Sequence, residues 1–256
     1  MVRVLLALAV ICTVPGNAAG ENSYALDPAG DIILGTVSLG VFGASLLVPE
    51  NNGLQQQYEE INRIDRCFIS SFKPVLSKAG TLSACAGLVL PAVSTAGYWD
   101  DFQGLAVLAV MYSEAFILTA GIKDLLKKRI VRWRPYTYSS TWSGPGESDN
   151  EYEDSFPSGH TAYAFMGASF AAAAAVHRFQ NRTWRIAVPA AGYTLAAATG
   201  IFRIAGGEHF LSDVLAGAAI GSLCGWLVPY LHQTVDTVSI SPAISGAYGI
   251  SVRIQL

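Results

Sequence analysis

Phe156-Pro157-Ser158-Gly159-His160-Thr161-Ala162 is the stretch on which the reading of this chain turns. It stands where an acidic, polar segment, Glu147 to Asp154, gives way to an apolar run of helical character. The pattern predicts a helix start with Pro157 in the first turn, where a fixed φ suits the helix and the missing N–H is no loss. Ser158 and Gly159 then offer a hydroxyl and backbone N–H groups at the positive end of that helix, an arrangement suited to an anion. His160, one residue on, exchanges a proton near neutral pH. A Pro-Ser-Gly turn before an apolar helix is commonplace by itself, so its meaning depends on what the rest of the chain supplies.

The rest reads as a membrane protein. Of 256 residues, 52% are hydrophobic and only 14% charged, and the mean hydropathy of +0.38 is too high for an ordinary soluble domain. A formal net charge of −3 gives no footprint for nucleic acid. Cys12, Cys67, Cys85 and Cys224 lack metal-type spacing, so neither a cysteine zinc site nor a disulfide framework is expected. Residues 1–19 read as a signal peptide or signal anchor, with Arg3 at the start, an apolar middle from Val4 to Val14, and small residues after it. That implies a bacterial-type plasma membrane.

Six later stretches carry almost no charge and approach the ~20 residues that cross a bilayer: Ile32 to Pro49, Thr81 to Trp99, Phe102 to Ile122, Thr161 to Val176, Ile186 to Phe202 and Val214 to Val235. Trp99, Trp133, Trp184 and Tyr230 fall near their ends, where amphipathic rings settle. The expected architecture is an all-α membrane protein, a six-helix transmembrane bundle. Its membrane domain covers 29–235, with a motif-bearing core over 81–235. Between the first two spans, Leu54, Tyr58, Ile61, Ile64 and Phe68 recur every three to four residues, which predicts an interfacial amphipathic helix. In the tail, 236–256, alternation over Val238–Ser241 and Tyr248–Leu256 predicts a small β-hairpin.

The chemistry-bearing residues gather at span ends. Lys127 and Arg134 are seven residues apart, two turns of a helix that Pro135 would stop just after Arg134. Arg203 closes the fifth span, Gly206-Gly207 breaks it, and His209 would open the sixth with Asp213 one turn further along the same face. A carboxylate so placed accepts the imidazole N–H, fixes the tautomer and makes the other nitrogen a better nucleophile. Because the third span ends, the fourth begins, the fifth ends and the sixth begins on one side, a single pocket collects all of these groups.

In these motifs, Lys-x6-Arg-Pro, Pro-Ser-Gly-His and Arg-x5-His-x3-Asp, the chain resembles the type 2 phosphatidic-acid phosphatase superfamily, whose active-site plan vanadium haloperoxidases share. The resemblance implies a metal-independent lipid phosphatase with no cofactor. It implies His209 as nucleophile oriented by Asp213, His160 as general acid and base, and Lys127, Arg134, Ser158, Gly159 and Arg203 as phosphate ligands. Phe202 stands where that family usually has Ser. The partners implied are a membrane lipid substrate and the bilayer, not nucleic acid. An exported origin directs attention to envelope lipids: phosphatidate, phosphatidylglycerol phosphate, undecaprenyl diphosphate or lipid A. A cleaved leader followed by six crossings would put the pocket in the cytosol, whereas a re-entrant stretch over 32–49, or an uncleaved leader that does not span, puts it in the periplasm. Arg178, Arg182 and Arg185 lie on the face opposite the motifs and mark that face as cytosolic, so the pocket is expected to face the periplasm of a multi-pass inner-membrane protein. Glu114 lies deep inside the third span, where an acid is expensive unless functional or paired; a packing role is expected. The acidic loop, Glu147, Asp149, Glu151, Glu153 and Asp154, reads as solvated. Two rival classes share these motifs or this fold: a vanadate-dependent haloperoxidase, and a non-catalytic membrane protein of the same fold.

Overall fold

The computed structural model describes residues 24–49, 55–95, 102–144, 150–233, 239–244 and 248–253. The leader over 1–19, Trp99, Glu147 and Asp149 lie outside the described residues. Helix α1, Pro28–Leu47, starts at a proline and is capped by Asp27, whose carboxylate accepts from the Gly30 N–H at 2.8 Å. The expected amphipathic helix over 51–73 is not formed among its described residues, 55–73. In its place stand a 3₁₀ turn, Tyr58–Glu60, and one helical turn, α2, Arg63–Arg66. Local polar chemistry wins over apolar periodicity here. Asn62 caps α2 through the Asp65 N–H, and the Arg66 guanidinium donates to the carbonyls of Glu59 and Ile61.

Helix α3, Pro74–Val89, begins seven residues before the expected span because Pro74 sets its first turn, and it tightens into a 3₁₀ segment, Leu90–Thr95, at Pro91. Helix α4, Phe102–Arg129, is 28 residues long, about 42 Å, and carries its Lys-rich end past the apolar region. Three more follow: α5, Gly159–Arg178; α6, Arg182–Ala205; and α7, Leu211–Leu231. Among the described residues, α1, α3 with its 3₁₀ extension, α4 and α7 are long and apolar enough to cross a membrane. Helices α5 and α6 are of similar length. Strands β1, Ser239–Ile244, and β2, Tyr248–Arg253, pair antiparallel, with Ser239 opposite Arg253.

Helix α5 is the centre of the bundle and packs on α3, α4, α6 and α7. Its inner residues Ala162, Ala164, Met166, Ala168 and Phe170 are buried. Helix α7 approaches it closely because a Cβ at Gly217, Gly221 or Gly225 would collide with the carbonyl oxygens of Ser158, Ala162 and Met166 respectively. Small residues at such crossings are what helix association in lipid requires. Met111 and Ala115 of α4 and Val228 of α7 complete the main cluster around Met166 and Phe170. Large apolar side chains such as Ile32, Leu47, Phe102, Leu215 and Trp226 point outward. This packing sets the start of α5, the start of α7 and the ends of α4 and α6 at one end of the bundle.

Candidate active site

Two turns of sequence differ from expectation and both matter. Helix α5 starts at Gly159 with Ser158 as its cap residue, so Pro157 precedes the helix and the Phe156–Pro157 bond is cis. Helix α4 ends at Arg129, five residues before Arg134. Lys127 and Arg134 therefore do not share a helix face. The chain beyond α4 runs extended against the acidic segment: the Arg132 N–H donates to the Glu153 carbonyl at 3.1 Å, the Arg134 N–H to Tyr152 at 2.8 Å, and the Ser155 N–H to Arg132 at 2.9 Å. Pro135 disfavours helix at the preceding residue, which frees Arg134 for this ladder. Trp133 packs on Trp142 and Tyr152 and anchors it. Lys127 closes the corner by donating from Nζ to the Asp154 carbonyl at 2.7 Å.

His209 does not open α7. The helix begins at Leu211 with Phe210 as its cap, and His209 sits in the preceding turn after Gly206 and Gly207, the latter at φ +79°. Only glycine adopts that conformation readily. The His209 side chain is 2% exposed. Its Nδ1 lies 2.7 Å from the Ser155 carbonyl and 3.9 Å from Asp213 Oδ2. A carbonyl only accepts, so Nδ1 is the protonated nitrogen and Nε2 keeps the lone pair. The expected direct imidazole–carboxylate bond is thus replaced by a backbone one, because His209 lies outside the helix that carries Asp213. Asp213 reaches the same end indirectly. Its Oδ2 accepts from Ser155 Oγ at 2.6 Å and from the Phe210 N–H at 2.8 Å, which fixes both the residue supplying the carbonyl and the turn bearing the imidazole.

His160 is the second residue of α5, with Nε2 3.2 Å from Thr81 Oγ1. Arg203, Arg134 and Lys127 bear electrostatically on both His160 and His209. Burial, then Arg134, Arg203 and Lys127, hold His209 well below the ordinary histidine range, so it is neutral at physiological pH. The structure therefore brings together His160, His209, Asp213, Lys127, Arg134 and Arg203. Ser158 and Gly159 adjoin them, but Ser158 is fully buried: its N–H donates to the Asp213 carbonyl at 3.1 Å and its hydroxyl pairs with Thr161 at 2.9 Å. The helix start is thereby tied to α7.

Several residues at the site escaped the sequence reading. Arg132 donates to Asp213, to Ser212 Oγ at 2.6 Å and to Asp65 at 2.7 Å, and lies over the Phe210 ring at 4.4 Å. Asp65 in turn accepts from the Ser212 N–H and hydroxyl. Burial opposes the charge on Asp65, but hydrogen bonds from Ser212, Arg132 and Asn62 outweigh it and lower its carboxyl below the usual value. Glu208 pairs with Arg203, stands 3.6 Å from Arg134 and accepts from Ser77 Oγ at 2.9 Å. Lys123, one turn before Lys127, also faces His160 electrostatically. Adjacency to motif residues marks Arg132, Glu208 and Lys123. Nothing in the sequence marks Asp65.

Comparison with known proteins agrees with these motifs. The chain is 46% identical over 88 residues to a lipid A 1-phosphatase of Porphyromonas gingivalis, covering 34% of this chain and 18% of that protein. It is 30% identical over 115 residues to a probable diacylglycerol pyrophosphate phosphatase of Schizosaccharomyces pombe, covering 40% of this chain and 41% of that one. The chain thus spans less than half the length of either relative. The crystal structure of a transmembrane PAP2-type phosphatidylglycerolphosphate phosphatase from Bacillus subtilis superimposes with a TM-score of 0.46 at 21% identity, over 78% of this chain and 94% of that one. The profile of the PAP2 superfamily matches residues 106–236, just over half of the chain and the part that carries all three motifs. This chain belongs to the PAP2 superfamily.

Proposed function

We propose that the chain is a membrane lipid phosphatase that hydrolyses a phosphate or diphosphate monoester through a phosphohistidine on His209. The observation that carries this reading is the neutral His209 with Nδ1 held by the Ser155 carbonyl, so that Nε2 keeps its lone pair, facing the charge of Arg134, Arg203 and Lys127. Nε2 attacks phosphorus, the bond from phosphorus to the lipid oxygen breaks, and His160 gives its proton to the leaving alkoxide. His160 then takes a proton from water as that water attacks phosphorus and the phosphorus–nitrogen bond breaks, which releases phosphate and restores His209. Asp213 acts as a positioning residue through Ser155 and the Phe210 N–H.

Lys127, Arg134, Arg203 and the Gly159 N–H hold the equatorial oxygens as charge builds on them. The Ser158 hydroxyl joins this set on turning from Thr161. Phosphoryl transfer depends mainly on positioning and electrostatics, and fixed cations supply both without a metal at the reacting centre. Before substrate binds, Glu208 holds Arg203 and Arg134 as a carboxylate surrogate. A phosphoryl dianion brings more charge and more acceptor oxygens, and displaces it.

The substrate class is an envelope lipid phosphate, supported by the relative named for lipid A. Six helices cross the membrane, α1 starts on the cytosolic side and the pocket opens to the periplasm, supported by Arg182 and Arg185 at the far end of α6. Detergent-purified protein is expected to release phosphate from at least one of phosphatidate, phosphatidylglycerol phosphate, undecaprenyl diphosphate and lipid A, with EDTA present. Bromide oxidation with added vanadate, without phosphate release, would point to a haloperoxidase.

A further inference from the structure

At the end of the bundle opposite the histidine pair, three helices bring Asp31 of α1, Glu114 of α4 and His232, just past α7, to one point. One ligand atom from each lies within 4.8 Å of the others. His232 Nε2 stands 2.7 Å from Asp31 Oδ1 and 3.4 Å from Glu114 Oε2. The other ring nitrogen, Nδ1, lies 2.8 Å from the Val228 carbonyl and must donate to it. Nε2 therefore faces two carboxylates, which calls for a proton on that nitrogen or a cation between the three groups. This is also the way metal-bound histidines are fixed, with the distal N–H on a backbone carbonyl.

Glu114 supplies an independent sign. Its side chain is 9% exposed, and its Oε2 is buried without a hydrogen-bond partner. Among the described residues, no Lys or Arg pairs with Asp31 or Glu114. A buried carboxylate oxygen left so is costly unless an ion takes it up. A groove of about 360 Å³ between α1 and α4, lined by Gly35, Ser38, Ser113 and Glu114, leads to it. The Ser38 hydroxyl there is buried and unpartnered as well.

We propose that Asp31, Glu114 and His232 bind one divalent transition-metal ion that fastens α1 to the bundle. Two carboxylates and a neutral imidazole carry two negative charges and match a divalent ion. The mixed oxygen–nitrogen set suits zinc or manganese better than calcium. Ligands of a tetrahedral zinc at ~2.05 Å stand ~3.3 Å apart, close to the Glu114–His232 separation. The Asp31–His232 pair opens to that spacing by a small rotation of Asp31, the most exposed of the three. The fourth position falls to water. The three ligands come from α1, α4 and the end of α7, so one ion would join all three elements. The ion lies about 20 Å from the Lys127 end of α4, too far to touch the reacting phosphorus.

The test uses the untagged full-length protein, purified in detergent, stripped with EDTA and titrated with zinc chloride, and separately with manganese chloride, by calorimetry and thermal unfolding. The expected result is one ion per chain with a micromolar or tighter Kd. The unfolding midpoint should rise by several degrees in the wild type and not in Glu114→Gln or Asp31→Asn. Phosphate release at 25 °C should stay within about two-fold of wild type in both variants and in EDTA. No saturable binding in the wild type, or equal binding in both variants, would overturn the site and leave an imidazolium bridging two acids. Because binding and phosphate release are read on the same samples, failure of the metal site is distinguishable from failure of the phosphatase reading.

Discussion

His209→Ala is expected to lower phosphate release by at least ~10³-fold, because loss of a covalent nucleophile disables a unit that does not work in parts. The fold should survive: the change removes one buried ring that, among the described residues, hydrogen-bonds to the Ser155 carbonyl alone, while Asp213 keeps Ser155 Oγ, the Phe210 N–H and Arg132. Circular dichroism and the unfolding midpoint check that point. His160→Ala provides the contrast. On a lipid phosphate, whose alkoxide leaves only with a proton, it should cost roughly 10²–10⁴-fold. On 4-nitrophenyl phosphate, whose leaving group needs no proton, the first step should recover in His160→Ala and stay absent in His209→Ala. Equal recovery in both variants would contradict the two roles.

Arg132→Ala has the largest expected effect on stability. Its guanidinium joins Asp65 and Asp213, whose side chains are 1% and 0% exposed. Removing it leaves two buried carboxylates without their cation, which costs about 3–5 kcal/mol. For a chain of this size the unfolding midpoint should fall on the order of 10 °C. Arg132→Lys keeps the charge but not the fork that reaches both acids, so it should fall between wild type and Ala. Asp65→Asn should restore part of the loss in the Ala background, since the two side chains touch and their effects do not add. The sign with pH follows from the lowered carboxyl of Asp65. Its contribution is complete above about pH 4 and is lost as pH falls through the lowered folded-state value, so the difference between wild type and variant narrows in acid.

These two experiments separate what was legible in the sequence from what was not. The apolar spans over α1, α3, α4 and α7, the Gly206-Gly207 break and the gathering of Lys127, Arg134, His160, Arg203, His209 and Asp213 at one end follow from periodicity and span order alone. Helix continuity between Lys127 and Arg134 did not hold, because spacing in sequence says nothing of the ladder that Arg132 and Arg134 form with Glu153 and Tyr152. The His209–Asp213 pairing failed for a related reason. A spacing of four puts two side chains on one face only where both belong to the helix, and α7 starts after His209. Asp65 was out of reach, since its partners Arg132 and Ser212 lie 67 and 147 residues away. The polar stretch around it reads as surface, yet Asp65 itself is buried against Arg132 and Ser212.

The account's central claim is a covalent bond between phosphorus and His209, and trapping that intermediate tests it most directly. Protein mixed with the most rapidly hydrolysed lipid, carrying ³²P, would be quenched in base within milliseconds, digested and mapped by mass spectrometry. The expected result is label on the peptide bearing His209, stable in base, lost in acid, and absent from His209→Ala. Turnover without label, or label on another residue, would contradict the nucleophile assigned here.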